Sequence, residues 1–397
     1  MSKTQLTHML NPFRPGAGRQ PAELVGRIRD LERMDLMVAR AKLGQIDRGS
    51  IYYGLRGMGK TVLLNRMAQI AQDKGMCVAQ LEADGDPTRD YEALFREMTM
   101  ACTQSRDGRI RRKLGETLKR VKSIEIEFPI FKTTIDTGES DSTDSDSYRL
   151  EILVRELSET LKKENSGLFL FVDEFQEMSS KTMAALLTIQ HRTNQNDLPF
   201  FIIGAGLPNL QGVLTNSRSY AERLFEYHPV ESLSDEDTRQ GFQGPAEKTG
   251  RRFDDESLTE LTRISRGYPY FIQAYGMAAW DASNSNPITL ESVETGKSYA
   301  QESLDHGLYE SRWQHTTDAG KTYLSAMAAI CDNECRSQQV ANKLGKETSD
   351  LSVIRKTLID LGLLYSPTRG MIAFTVPGMA EYIRRTDPWE DGTSSDE

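Results

Sequence analysis

No apolar run in this chain of 397 residues approaches the roughly 18 residues needed to cross a bilayer. The stretch from Met1 to Gln20 also lacks an apolar h-region, so no export signal is expected. Cysteine is scarce: Cys77, Cys102, Cys331 and Cys335 are scattered and give no disulfide framework. The Cys331/Cys335 pair has no second pair or histidine cluster to complete a metal site. Structural thiols in a reducing cytoplasm are therefore expected. Net positive charge is missing as well. At −9 the chain is not built to coat nucleic acid over its whole surface, which leaves room only for a local basic patch. Nine of the 58 acidic residues lie in two low-complexity segments, Thr137 to Ser147 and Asp387 to Glu397, both read as unstructured. What is present is an ordinary hydrophobic fraction of 38% over a length that accommodates two or three domains.

Gly54-Leu55-Arg56-Gly57-Met58-Gly59-Lys60-Thr61 reads G-x-x-x-x-G-K-T, a loop that wraps phosphate. Gly54, Gly57 and Gly59 let successive backbone N–H groups, with that of Met58, curl around an anion. The helix that begins near Lys60 and Val62 adds its positive end. Lys60 reaches the β- and γ-phosphates, and the Thr61 hydroxyl is a Mg²⁺ ligand. Ser50 to Tyr53 precedes the loop as a short strand, and Leu63, Leu64, Met67, Ala68 and Ile70 follow at helical spacing.

A second motif, Gly167 to Glu174, is a short apolar run that ends in two carboxylates. It reads as a parallel strand buried on both faces, whose C-terminal end is where such sheets bind ligands. Asp173 is the second Mg²⁺ ligand, and Glu174 is the group that orients and polarises the attacking water. Other strands are expected at Met76 to Leu81, Phe200 to Ile203 and Phe225 to Val230. The strand between the phosphate-loop strand and the acidic one marks the subgroup with a catalytic glutamate. The fold class is therefore α/β, a parallel-sheet P-loop NTPase core.

Arg106 to Lys122 is rich in base and reads either as a nucleic-acid contact or, the reading preferred, as a solvated helix beside acid. The domains are expected at 1–20 (a disordered arm), 21–230 (nucleotide-binding core), 231–310 (helical lid), 311–386 (winged helix) and 387–397 (acidic tail). In the lid, Ser234 and Asp237 form a capping-box-like start, Pro269 suits a first helical position and Thr289 is a cap. Helices at Thr317–Ile330, Ser337–Leu344 and Ser349–Leu361, then a hairpin through Pro367 to Gly370, make a winged helix-turn-helix. Residues 311–386 hold ten Lys/Arg against seven Asp/Glu, a local excess of +3 in an acidic chain. Arg355 and Lys356 on the third helix and Arg369 at the wing tip suit double-stranded DNA, although a winged helix can equally dock protein.

With these motifs in place, residues 21–386 resemble an AAA+ ATPase of the origin-recognition-like group, close to the STAND and archaeal-type ATPases. The resemblance rests on Leu24 to Arg27, Gly54 to Thr61, Val172 to Glu174, Ser219 to Phe225, Gly267-Tyr268-Pro269 and the closing winged helix. Gly204 to Pro208 and Phe374 to Pro377 are similar to segments of a bacterial group of single-chain ATP-binding proteins. The resemblance implies ATP with Mg²⁺ as cofactors, an ATPase activity and assembly into homo-oligomers. It implies that Val25, Gly26 and Arg27 pass the adenine, and that Arg223, with Arg218 second, projects toward a neighbour's γ-phosphate. It also implies that Arg266 and Pro269, at the lid turn, lie on the nucleotide. One departure stands out: Phe200–Ile203 ends in Gly204-Ala205-Gly206, where many AAA+ proteins carry a polar sensor, and Asn209 is the nearest polar residue.

Overall fold

A computed structural model describes residues 10–16, 18–127 and 142–389. The chain folds as two compact units. One comprises Arg27–Gly54 with Lys60–Val230; the other comprises Met1–Gly26, Leu55–Gly59 and Glu231–Glu397.

The first unit is an α/β core. In chain order it runs α1 (Ile28–Lys42), β1 (Gly49–Tyr53), α2 (Lys60–Asp73), β2 (Cys77–Glu82), α3 (Pro87–Thr103), α4 (Gly108–Glu127), α5 (Ser142–Lys162) and β3 (Leu168–Asp173). It continues with α6 (Ser180–Gln195), β4 (Phe200–Gly206), α7 (Leu210–Ser217), α8 (Ala221–Leu224) and β5 (Phe225–Pro229). All five strands are parallel, in the order β2-β3-β4-β1-β5. So β4 does separate the phosphate-loop strand from the acidic strand. Leu168 to Val172 are all 0% exposed, which accounts for an unbroken apolar run where a half-buried strand would alternate. The register pairs Tyr53 with Gly206 and Glu82 with Asp173, so the strands end along one edge.

Local chemistry sets the helix starts. Asp86 accepts a hydrogen bond from the Arg89 N–H at 3.0 Å, and Pro87 takes the first turn of α3, where its missing N–H costs nothing. Ser179 caps α6 through the Thr182 N–H at 3.2 Å. A buried carboxylate joins these two helices. Asp90 is 1% exposed and accepts from the Asp84 N–H and the Ser179 N–H, both at 3.0 Å.

The basic segment runs into the helix α4, and three of its bases pair with neighbours within the core. Arg106 pairs with Asp73 at 2.7 Å, Arg120 with Glu156 at 3.7 Å, and Lys113 with Glu164. This supports the solvated-helix reading. The helix α5 begins at Ser142, inside the segment read as unstructured. The remaining acidic stretch of 137–141 lies outside the described residues.

The second unit is helical and then winged. It contains α9 (Asp235–Lys248), α10 (Asp255–Ser265), α11 (Pro269–Ala282) and α12 (Leu290–Leu304), which runs through a π-turn (Asp305–Glu310) into α13 (Ser311–Gln314). The winged helix follows as α14 (Asp318–Ile330), β6 (Glu334–Arg336), α15 (Ser337–Lys343), α16 (Ser352–Asp360), β7 (Leu364–Tyr365), β8 (Met371–Phe374) and α17 (Met379–Thr386). Ser234 caps α9 through the Asp237 N–H at 3.1 Å, and Pro269 opens α11 as expected. Thr289 stands at the start of α12 but makes no side-chain cap. The wing has a third strand that sequence reading missed, since β6 pairs antiparallel with β8. Cys331 and Cys335 are free thiols, and the Cys331 Sγ–H donates to the Met327 carbonyl at 3.6 Å. Among the described residues no third metal-binding side chain joins them.

Neither terminal segment is wholly free. Phe13 is 2% exposed within an aromatic cluster with Phe242, Phe253 and Trp280, and Asn11 donates to the Met277 carbonyl at 3.1 Å. Hydrophobic burial thus draws part of the expected arm into the lid. At the other end Ser325 donates to Asp387 at 3.2 Å, and Lys343 lies over the Trp389 ring. Residues 1–9 and 390–397 lie outside the described ones.

His228 on β5 packs against Tyr52 on β1, with 4.9 Å between ring centroids and the planes tilted by 34°. Burial and then the nearby Arg33 charge push its imidazole down to about 4. Its Nε2 has no hydrogen-bond partner, and the Glu226 carboxylate stands 3.8 Å away. The folded protein holds this group neutral, whereas the unfolded chain takes a proton near pH 6.5. Its contribution is therefore complete above that pH and is lost as pH falls toward about 4. Urea unfolding of wild type and His228→Gln between pH 7 and 4 checks this. Wild type is expected to lose up to about 3 kcal/mol more than the variant, and parallel curves would show that His228 does not titrate this way.

Candidate nucleotide-binding site

The loop of Gly54 to Thr61 leaves β1 and enters α2. Gly57 and Gly59 adopt φ of 78° and 85°, the left-handed region that glycine enters at no steric cost. Lys60 is 6% exposed, and its ammonium donates to the Gly54 carbonyl at 2.9 Å, drawing together the two ends of the loop. The Thr61 hydroxyl donates to Asp173 Oδ2 at 2.6 Å, so residues 112 positions apart meet at the core's ligand edge.

Beside them the chain turns sharply after β3. Glu174 has φ 44° and ψ 41°, a left-handed conformation that costs a non-glycine residue about 1–3 kcal/mol. Two backbone bonds hold it: the Glu174 N–H donates to Asp173 Oδ1 at 2.9 Å, and the Glu177 N–H to the Glu174 carbonyl at 2.8 Å. The turn sends Phe175 and Gln176 back toward β4. Phe175 is fully buried against Gly204, and the Gln176 carboxamide lies against Gly206. Gln176 donates to Glu174 Oε2 at 2.6 Å and accepts from the Leu207 N–H at 3.0 Å. Asn209, the polar residue expected nearest to a sensor role, has a buried Oδ1 with no hydrogen-bond partner and caps nothing.

In the second unit, the segment Leu55–Gly59 meets the lid turn. Tyr268 is 1% exposed and donates its hydroxyl to the Arg56 carbonyl, and burial holds the phenol protonated as a donor. A Cβ on Gly57 would fall 2.2 Å from that hydroxyl, so glycine is required there for space as well as for φ. Sequence reading placed Pro269 on the nucleotide; it is the first residue of α11, and Tyr268 before it touches the loop. Arg266, expected at a phosphate, has its guanidinium on Glu381 at 2.7 Å. Val25 packs against Gly241 of α9, and Gly26, at φ 69°, is closed in by Leu233 and Asp237. Arg27 precedes α1 and is buried, while Val62 is half-buried in the first turn of α2.

Arg223 is exposed on α8, and its side chain pairs with neither Glu222 nor Glu226 among the described residues. The Arg218 guanidinium donates to Thr188 Oγ1 at 3.5 Å and to the Ser217 carbonyl at 3.4 Å.

A glycine-rich loop at the end of a central parallel strand, closed on an Asp-Glu pair two strands away, defines a P-loop nucleotide-binding fold. Residues 23–203 match the AAA ATPase domain, and residues 306–383 match a domain of unknown function, DUF8462. The chain thus carries an AAA+ P-loop ATPase domain. No curated protein matches it. Among solved structures it is similar to the Aeropyrum pernix Orc1 protein in complex with DNA, at 16% identity and a TM-score of 0.44, covering 92% of this chain and 94% of that one. It is similar also to the Thermotoga maritima RuvB Holliday junction branch migration motor (15%, TM-score 0.44, 92% and 96% covered). A third is Cdc6p from Pyrobaculum aerophilum (13%, TM-score 0.44, 93% and 95% covered).

Removing the phenol hydroxyl tests whether the lid turn shapes the loop. Tyr268→Phe is expected to weaken ATP binding about fivefold by calorimetry, the worth of one neutral hydrogen bond of about 1 kcal/mol. Unchanged affinity with unchanged thermal stability would show that the loop holds its shape without Tyr268.

Proposed function

We propose that this protein is a Mg²⁺-dependent ATPase that couples nucleotide state to self-assembly and to contact with double-stranded DNA. The observation that carries the catalytic part is the 2.6 Å approach of the Thr61 hydroxyl to Asp173. These are two hard oxygen donors, one of them charged, and they suit Mg²⁺ bound jointly with phosphate oxygens. When bound, Mg²⁺ would neutralise charge building on the phosphate oxygens. Lys60 and the loop N–H groups hold the β- and γ-phosphates, and Glu174 orients and polarises the attacking water. Val25, Gly26 and Arg27 flank the adenine, with Pro269 at the turn above the loop. Arg223, exposed and without an ion-pair partner among the described residues, is suited to reach a neighbouring copy's γ-phosphate, where a fixed fork of donors stabilises spread charge.

The DNA-binding part rests on charge left uncompensated. Arg384 and Arg385 are taken up by Asp332 and Asp305, but Arg355, Lys356 and Arg369 form no ion pair among the described residues. Three free bases on the third helix and wing tip of a winged helix suit duplex phosphates.

One observation favours a second reading. Tyr268 bonded to the phosphate loop would make the lid sensitive to nucleotide state, as in a slow switch whose winged helix contacts protein. Duplex DNA that accelerates ATP turnover would decide against it.

Glu174→Gln should bind ATP as wild type does while turnover falls by at least about a hundredfold, the lower range for loss of a general base. Undiminished turnover would remove Glu174 from the mechanism. In fluorescence anisotropy across a salt series, replacing Arg355, Lys356 and Arg369 by Ala should reduce the slope of log affinity against log salt by up to about three. An unchanged slope would place DNA elsewhere or nowhere.

A further inference from the structure

We infer that Gln176 is a positioning residue for Glu174 and occupies the place of the polar sensor that β4 lacks. The inference rests on the assignment of Glu174 as the group that polarises water, and it concerns how that carboxylate is held.

Several observations converge on this role. Gly204 and Gly206 stand two residues apart on β4 and so point to one face of the sheet. A Cβ on Gly204 would meet Phe175 at 2.6 Å, and one on Gly206 would meet Gln176 Oε1 at 2.2 Å. The Gly-Ala-Gly sequence is thus a slot cut for two consecutive side chains of the turn after β3. Into that slot Gln176 brings both halves of its carboxamide. The carbonyl is fixed by the Leu207 N–H at 3.0 Å, immediately beyond β4. The NH₂ donates to Glu174 Oε2 at 2.6 Å and to Glu177 Oε1 at 3.2 Å. An amide serves both partners at once: Leu207 offers a donor and Glu174 an acceptor, and neither an ionised carboxylate nor an ammonium meets both.

The chemistry follows from this geometry. A glutamate that must polarise water works best when its rotamer is set before substrate arrives. Glu174, in its left-handed backbone, lies just beyond the end of β3, so the amide supplies an anchor that strand pairing does not. It also ties the carboxylate to the end of β4. Movement of that end would shift the catalytic group directly.

Steady-state and single-turnover hydrolysis in the full-length protein tests this. Gln176→Ala is expected to lower kcat about tenfold while KM and the calorimetric Kd for ATP stay within about twofold, because a group acting only on the reacting step leaves ground-state binding intact. Gly206→Ala, which keeps Gln176 but fills its slot, is expected to reproduce that loss, with melting temperature followed in both variants. In a Glu174→Gln background, followed over hours, adding Gln176→Ala should cost nothing further, since the positioned group is already gone. Full kcat in Gln176→Ala beside an inactive Glu174→Gln would overturn the role of Gln176 and leave the role of Glu174 standing. An undiminished tenfold loss in the double variant would overturn it too, by showing that Gln176 acts through folding. Retained turnover in Glu174→Gln alone would overturn the carboxylate's assignment, and the positioning role with it.

Discussion

The closure of Thr61 on Asp173 is the constraint around which the core is arranged. It requires the first helical residues after the phosphate loop and the last residue of a strand more than a hundred positions later to end at one edge. Parallel strands meet that requirement because each returns to the same side through a helix. The insertion of β4 between β1 and β3 then fixes the lateral distance between the loop and the acidic pair. The fully buried run of Leu168 to Val172 anchors the strand that ends in Asp173, with Glu174 next in the chain. A charged pair at the end of so apolar a strand is held in place by the packing behind it.

The turn after β3 extends that rigid support to Glu174. Glu174 adopts a left-handed backbone that only a well-determined surrounding can maintain. Phe175 supplies part of that surrounding through burial and Gln176 supplies part through hydrogen bonds, and both need glycine on β4. What looks in the sequence like a missing sensor is a matched pair of absences that receive side chains from elsewhere. In the other unit, Gly57 plays a comparable part by admitting the Tyr268 hydroxyl to the loop.

Much of the core was legible in the sequence because its signals are local or periodic. The phosphate loop, the apolar strand ahead of Asp173 and Glu174, and the helices of the winged domain all declare themselves by residue type and spacing. Gln176 did not, because a glutamine two residues past an acidic pair has no meaning until β4 is placed beside it. Tyr268 was passed over in favour of Pro269, since helix-start chemistry is local while a phenol reaching a carbonyl more than two hundred residues away is not. Arg266 is expected at a phosphate from its place beside the turn; its ion pair with Glu381, more than a hundred residues on, has no signal in the sequence. The arm around Phe13 reads as polar and irregular, yet one aromatic ring and one asparagine amide suffice to dock it. Strand β6 is three residues long, too short for any period to show.

The most direct test of the central claim is calorimetric titration of ATP, with and without Mg²⁺, into wild type and Asp173→Ala. Paired oxygens at Thr61 and Asp173 predict that Mg²⁺ strengthens ATP binding to wild type and that the variant loses this gain while still binding metal-free nucleotide. No heat of ATP binding in wild type, or an equal response to Mg²⁺ in both proteins, would contradict the account.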